Sequence, residues 1–360
     1  MSVVSFKCKN CGGELLFDPD SQKFHCEYCD SYFTREELGE EPESKTEDPA
    51  PRAEAASKAG AAQREDEFSE GEVVEYTCPS CGAQVIAEAS TAATWCYYCH
   101  NPVVLSSRLS NKLKPNKVIP FVLDKEQAEK AFEQWKKKKW FLKPGFSREA
   151  RLEKMSGVYY PYWRINCRTQ GHISGNAEKI RTWRSGDTEY TETERYQVVR
   201  RGQVELRDIT FTAINREDID LTQGVYPFDY SKAQEFSMAY LSGFLAERRM
   251  TETKDVRPRA QEKIRGYTRE KLEDTVKGYT HFTVRDSGCQ MEEEKWEYVL
   301  LPAWVMTYQY NGETYYYAVN GQTGKTCGRL PLSKARLAAL FAGVTAVAFG
   351  VFSLIGGLLL

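Results

Sequence analysis

The sequence predicts an α+β fold: two small cysteine-bearing ribbons, a duplicated antiparallel α+β domain, and one apolar helix at the C-terminal end. Three observations predict it. Four Cys-x-x-Cys knuckles come as two copies of one spacing, residues 114–331 mix strand-like and helix-like hydrophobic periods, and residues 337–360 carry no charge.

The knuckles come first in the chain. Cys8 and Cys11 are followed by Cys26 and Cys29; Cys78 and Cys81 are followed by Cys96 and Cys99. Fourteen residues separate the knuckles in each copy, and the second copy lies 70 positions after the first. Four thiolates so spaced suit one tetrahedral Zn²⁺ per copy, so residues 1–35 and 76–108 are predicted to be zinc ribbons. An extracellular disulfide framework would use the same cysteines. The chain's start carries Lys7 and Lys9 but no apolar core of signal-peptide length, which favours zinc and a reducing cytosol. Cys167, Cys289 and Cys327 match no motif.

In the first ribbon, Gly12 and Gly13 allow a turn with φ > 0 that aims amides at the sulfurs. Leu15, Leu16 and Phe17, then Lys23, Phe24 and His25, read as two short strands, with Tyr32 and Phe33 covering the site. The second ribbon repeats the plan with Gly82, a strand at Val85, Ile86 and Ala87, Thr94 and Trp95 leading into Cys96, and Pro102, Val103 and Val104 leaving it. His25 and His100 each sit beside a ligand cysteine, but four sulfurs already fill each site, so surface or supporting roles are expected of them.

Residues 36–75 are a different polymer. Between residues 36 and 72 there are 13 acidic side chains against four basic ones, with alanine, proline and serine in much of the remainder. Such a segment buries too little apolar area to offset its ordering, which predicts a flexible acidic tether.

Residues 114–331 are globular and rich in aromatics. Expected in order are a strand at 119–123, a helix capped by Asp124 and running through Trp140, and a short helix at 147–154. A strand then starts at Val158 and turns near Gly171, followed by strands at 190–200 and 204–213. Helices are expected at 231–249 and 259–276. The last strands are expected at 279–285, 298–310, 313–319 and near Lys325, with Asn311-Gly312 as a hairpin turn. Two strings echo each other. VIPF from Val118 resembles VYPF from Val225, and VYYPYW from Val158 resembles VLLPAW from Val299, matching Trp163 to Trp304. The echo predicts a duplication with an insertion in the second half. Tyr315 and Tyr317 should face one side of their strand and Tyr316 the other, as core or as a docking face, with Tyr308 and Tyr310 on the same surface.

The uncharged stretch at 337–360 is 24 residues long, and about 36 Å of helix exceeds a hydrocarbon core of about 30 Å. Thr345 and Ser353 alone make no polar stripe, so a transmembrane helix is expected rather than a buried core helix. Lys325, Arg329, Lys334 and Arg336 precede it, which places residues 1–336 in the cytoplasm and makes the chain a tail-anchored, single-pass protein of the cell membrane. Ala342, Ala346 and Gly350 recur every four residues, as in helices that self-associate or simply as anchor composition.

No enzyme is expected. A catalytic zinc keeps an open position, whereas four thiolates close the site, so both metals are structural. No GxSxG, HExxH, GxxxxGK[ST] or GxGxxG occurs. His172, His281 and Cys167 belong to no recognisable constellation, and the latter reads as a buried, inert thiol. Lys136, Lys137, Lys138 and Lys139 would meet phosphates of lipid or nucleic acid, or form a solvated helix end.

The ribbons resemble TFIIB-type zinc ribbons and the zinc-binding strand region of primosomal helicases. The whole layout resembles membrane-anchored zinc-ribbon proteins of Gram-positive bacteria: ribbons, acidic linker, the two Pro-x-Trp strands, NGQTGKTCG from Asn320, and a terminal anchor. The resemblance implies zinc on the eight knuckle cysteines and a role in recruiting flotillin-like or phage-shock-type membrane-stress factors. It implies no helicase motor. The function expected is therefore a membrane-bound adaptor for protein partners. The alternative is a nucleic-acid-binding ribbon protein, which Lys7, Lys9 and Lys23 favour. The second ribbon disfavours it, having Glu88 and no Lys or Arg between Cys78 and Cys99, and so does the net charge of −2.

Overall fold

The computed structural model describes residues 5–39, 73–78, 81, 84–88, 90–96, 101–105, 109, 113–143, 151–152, 155–214, 224–310 and 313–359. Most of the expected acidic tether, Cys99, His100, most of the expected short helix at 147–154 and the Asn311-Gly312 turn lie outside the described residues.

The first ribbon is a three-stranded antiparallel sheet of β1 (Leu16–Asp18), β2 (Lys23–Cys26) and β3 (Ser31–Phe33). A one-turn helix follows, α1 (Arg35–Leu38), with Thr34 and Glu37 making a reciprocal cap. The second ribbon has a hairpin of β4 (Val73–Thr77) and β5 (Gln84–Glu88), then β6 (Thr91–Trp95) and β7 (Pro102–Val104).

The large domain is built on two strands of 30 residues each. β8 (Lys117–Val118), α2 (Lys125–Lys137) and β9 (Arg151–Leu152) lead into β10 (Ser156–Ser185), which folds back as β11 (Thr188–Thr212). After β12 (Gln234–Glu235) come β13 (Leu245–Glu247), α3 (Thr253–Glu273) and β14 (His281–Tyr310). β15 (Glu313–Asn320), β16 (Thr326–Gly328) and α4 (Lys334–Leu359) finish the chain. β10 and β14 pair antiparallel through Tyr160↔Leu301 and form the centre of an eleven-stranded sheet.

This centre contains two β-α-β units of one plan, exchanged across it. β8 adds parallel to β14 at Val299 and Leu300, while β13 adds parallel to β10 at Val158 and Tyr159. A helix follows each short strand. The Trp163 indole donates to the Thr251 carbonyl (3.0 Å), just before α3, and the Trp304 indole donates to the Leu123 carbonyl (2.9 Å), just before α2. Trp163 and Trp304 are thus equivalent, as the echo predicts. The other half of the echo is corrected: the counterpart of Val118 is Ala246, not Val225. Residues 225–228 form a loop with a cis Tyr226–Pro227 peptide, and the Asn320 amide bonds the carbonyls of Val225 and Pro227, each at 3.0 Å.

Proline belongs in neither central strand on propensity alone. Pro161 and Pro302 are tolerated because each sits where the neighbouring strand changes. Beside Pro161 the neighbour passes from β13 to β11, and beside Pro302 from β8 to β15. Each proline still accepts a bond through its carbonyl, from Ala213 and Gly321 respectively.

Four other expectations are corrected. Residues 119–123 form no strand, since β8 ends at Val118, although Ile119 N–H donates to the Leu300 carbonyl (3.0 Å) and the N–H groups of Val122 and Leu123 to that of Gly321 (2.8 and 2.9 Å). The helix expected at 231–249 is instead two 3₁₀ turns, Tyr230–Lys232 and Met238–Leu241, with β12 and β13. Where a helix was expected at 147–154, Arg151–Leu152 is strand β9. β10 does not turn at Gly171, and the strands expected at 190–200 with 204–213, and at 279–285 with 298–310, are single strands β11 and β14. The helix at 125–137 agrees with its Asp124 cap but ends before Trp140, and α3 begins six residues earlier than expected at 259.

Gly171 shows why the turn reading fails. It lies opposite Gly202 on the face covered by α3, whose buried side chains Val256, Ala260, Ile264, Thr268 and Leu272 form one stripe. A Cβ at 171 would lie 2.5 Å from Thr268 Cγ2 and 2.9 Å from Leu272 Cδ1. The glycine lets the helix approach. Thr268 cannot easily turn away, because its hydroxyl is held 3.0 Å from that of Thr169. Gly171→Ala is expected to cost about 1–3 kcal/mol, read as a fall in the urea midpoint at constant m.

Both ribbons are welded to this body and are not free modules on a tether. Phe17 and Phe24 pack on Tyr240 at ring-centroid distances of 5.2 and 5.8 Å, and Phe17 N–H donates to the Ser242 carbonyl (3.1 Å). Gln22 reaches the Phe121 carbonyl (2.7 Å) and Arg35 the Glu235 carbonyl (3.1 Å). The second ribbon joins the large sheet through Ala93↔Ala246, and Asn101 touches Glu14 of the first ribbon (3.3 Å). Tyr317 is buried against Phe132 and Trp135 of α2 while Tyr316 is exposed, so the tyrosines of β15 split between core and surface as alternation requires.

Candidate metal centres

The first centre is made by two turns that face each other. Gly12 (φ +73°) closes the first turn, and the N–H groups of Asn10 and Gly13 point at Cys8 Sγ and Cys11 Sγ, each at 3.4 Å. β2 delivers Cys26 and the turn after it delivers Cys29. The four sulfurs lie within 4.8 Å of one another, with Cys8–Cys29 at 3.6 Å and Cys11–Cys26 at 3.5 Å. A tetrahedron with metal–sulfur bonds of about 2.3 Å has edges of about 3.8 Å, so the quartet is already close to the size of such a sphere. Cys8 and Cys26 are buried and Cys11 and Cys29 exposed.

Crowding splits the titration of the two exposed thiols. The Ser31 hydroxyl, 3.2 Å from Cys29 Sγ, and the neighbouring Cys11 pull the Cys29 thiol down to about 6. At Cys11 the Gly13 N–H favours the thiolate, but the Cys29 thiol, loss of hydration and the thiols of Cys26 and Cys8 together outweigh it and push Cys11 up to about 12. A soft cation relieves this competition by accepting all four sulfurs as thiolates.

The second centre brings together Cys78, Cys81 and Cys96, again within 4.8 Å, with Cys81–Cys96 at 3.8 Å. Cys78 follows β4 and Cys96 follows β6, so a metal here would tie the separate hairpin to the large sheet. The fourth expected ligand, Cys99, lies outside the described residues. No described cysteine forms a disulfide.

His25 is no ligand: it stacks on Tyr32 at 4.3 Å and its Nε2 lies 2.8 Å from Asp30 Oδ1. Ser31 is the residue sequence reasoning missed. It touches Cys29 and accepts from the Asn10 amide (2.9 Å), joining the two knuckles. The pattern C-x-S after a knuckle is its only trace in the sequence.

The other candidate groups do not converge. His172 pairs with Asp286 (3.1 Å) on the exposed face of the large sheet. Cys167 is buried on the opposite face, as the alternation of burial between Arg164 and His172 requires, and burial, with Cys289 and Glu294 nearby, pushes its thiol up to about 11. His281 lies opposite Glu178 at the start of β14.

A Bacillus subtilis (strain 168) protein, described as uncharacterized protein YdjG, is 33% identical over 353 residues, which covers 98% of this chain and 97% of that protein. No family model matches the chain. No solved structure matches it.

Proposed function

The chain belongs to one family with the uncharacterized Bacillus subtilis protein YdjG, and we propose that it is a membrane-anchored, cytosol-facing adaptor with two structural zinc ribbons. One observation carries this reading: α4 is apolar and none of the 18 residues of its first window is buried by the protein. Phe341, Val347 and Phe349 are among its most exposed side chains. Such a helix has no place in water, and a bilayer is the solvent that suits it.

The chemistry of the ribbons supports the rest. Thiolate quartets select Zn²⁺, and a closed sphere holds shape without offering a reaction site. The first centre resembles a zinc ribbon of the TFIIB type. Fixed against the body, the ribbons present rigid surfaces at the membrane, where confinement raises the effective concentration of partners and weak contacts suffice. Membrane-stress factors of the flotillin or phage-shock type are the proposed partners.

The test is affinity purification of the full chain from membranes in mild detergent. The adaptor reading expects discrete co-purifying proteins and no nuclease-sensitive material. Recovery of nucleic acid that weakens steeply with salt supports the ribbon alternative instead. Acidification gives a second check. Each ligand binds as thiolate, so stability from the metal is present above the free thiol range and is lost as pH falls, and a chromophoric chelator should capture zinc progressively faster as pH falls from neutral.

A further inference from the structure

The apolar helix rises from a structured collar. Lys143 N–H donates to the Pro331 carbonyl (3.2 Å), Ser333 N–H donates to the Phe141 carbonyl (2.7 Å), and Leu142 bridges Leu332. The Arg336 guanidinium donates to the carbonyls of Trp140 (3.2 Å) and Leu142 (3.0 Å). These bonds fix the end of α2 beside the first turn of α4.

That end is basic and aromatic. α2 stops at Lys137, Lys138 and Lys139 continue past it, and Trp140 is 83% exposed. Leu332, on the partner segment, is 61% exposed. Lys137 and Lys138 are exposed and make no ion pair with any described residue, while Lys139 lies 5.3 Å over the Trp135 ring. No Asp or Glu occurs from 134 to 143 or after Glu313. Lys136 is paired with Glu133 (2.7 Å). On a soluble surface, the other three lysines of this helix end are merely solvated. Here they are held next to the point where an apolar helix begins, together with an exposed tryptophan and leucine.

We infer that this collar seats on the bilayer and gathers anionic phospholipid headgroups at the foot of α4. The inference rests on the proposed membrane span. Tryptophan prefers the headgroup level, and each lysine near an anionic leaflet adds attraction that lies within one Debye length of the surface.

The test uses the full chain in proteoliposomes, with bromine on the acyl chains of either phosphatidylglycerol or phosphatidylcholine at equal fraction. Trp140 is isolated by subtracting the signal of Trp140→Phe. The collar predicts that Trp140 is quenched, and more strongly by brominated phosphatidylglycerol. It also predicts that Lys137→Gln/Lys138→Gln/Lys139→Gln erases the difference while vesicle flotation persists. Equal quenching by both lipids in the wild type overturns headgroup selection. No quenching of Trp140 in a protein that floats overturns the seating of the collar. Loss of RNA retention in the triple variant, with its lipid preference intact, reassigns the lysines to nucleic acid and also overturns it. A protein that does not float at all contradicts the membrane span itself.

Discussion

Cys26→Ser is expected to remove one of two bound zinc ions and to destabilise the whole body, not only the first ribbon. Cys26 is fully buried at the end of β2, one residue after His25 and two after Phe24, which packs on Tyr240. Structural zinc supplies folding free energy directly, about 10–16 kcal/mol in isolated fingers at neutral pH. Losing one of four thiolates forfeits enough of it to melt a ribbon with so little core of its own. Because Leu15, Phe17 and Phe24 belong to the same cluster as Phe121, Tyr159 and Phe244, the loss uncovers the large domain. A fall on the order of 3–5 kcal/mol is expected. Metal analysis should give one zinc per chain, and thermal unfolding should show one lowered transition. Cys167→Ser, at a buried cysteine outside both quartets, should leave two zinc ions bound. A free module on a tether would instead lose its zinc and leave the main transition where it was.

Ending the chain at Arg336 is expected to move the protein from the membrane pellet to the supernatant with its body intact. Each Leu, Ile, Phe or Val contributes about 0.3–0.6 kcal/mol at the centre of an inserted helix, and residues 337–360 contain no charge to offset them. The body should not notice the loss, because α4 buries none of its apolar window against it and Arg336, with its bonds to Trp140 and Leu142, is retained. Flotation in a density gradient, with Tm measured on the soluble form, checks both halves of the expectation. A truncated chain that still floats would assign the membrane contact to the collar alone. One that aggregates would mean that α4 covers a surface of the body.

The sequence made the two cysteine clusters legible, Cys8, Cys11, Cys26 and Cys29 and then Cys78, Cys81 and Cys96, because cysteine spacing is a distance constraint that survives any fold around it. The Asp124 cap was legible for a similar reason, since capping is local. Residues 231–249 were not. Phe236, Met238, Ala239, Tyr240, Leu241 and Phe244 sit at nearly helical intervals, yet their burial comes from contact with the first ribbon and with Phe121, and Gly243 (φ +94°) ends any helix there. A periodicity shows that a segment is buried, not what buries it. The glycines failed the same way. A missing side chain at 171 serves a turn or a close approach equally well, and only the position of α3 decides. Pro258 displaced the expected start of α3 because it stands in the second helical turn. The repeat was legible in its tryptophans, whose indoles perform equivalent bonds, and illegible in its short strands, where two residues of pairing leave no sequence signature.

X-ray absorption at the zinc edge of the purified full chain tests the account most directly. The account predicts two zinc ions per chain and a first shell of four sulfur atoms at about 2.3 Å, with no lighter atom in it. A shell containing oxygen at about 2.0 Å, from an exchangeable water, would make at least one centre open, and with it the reading of a purely structural metal would fail.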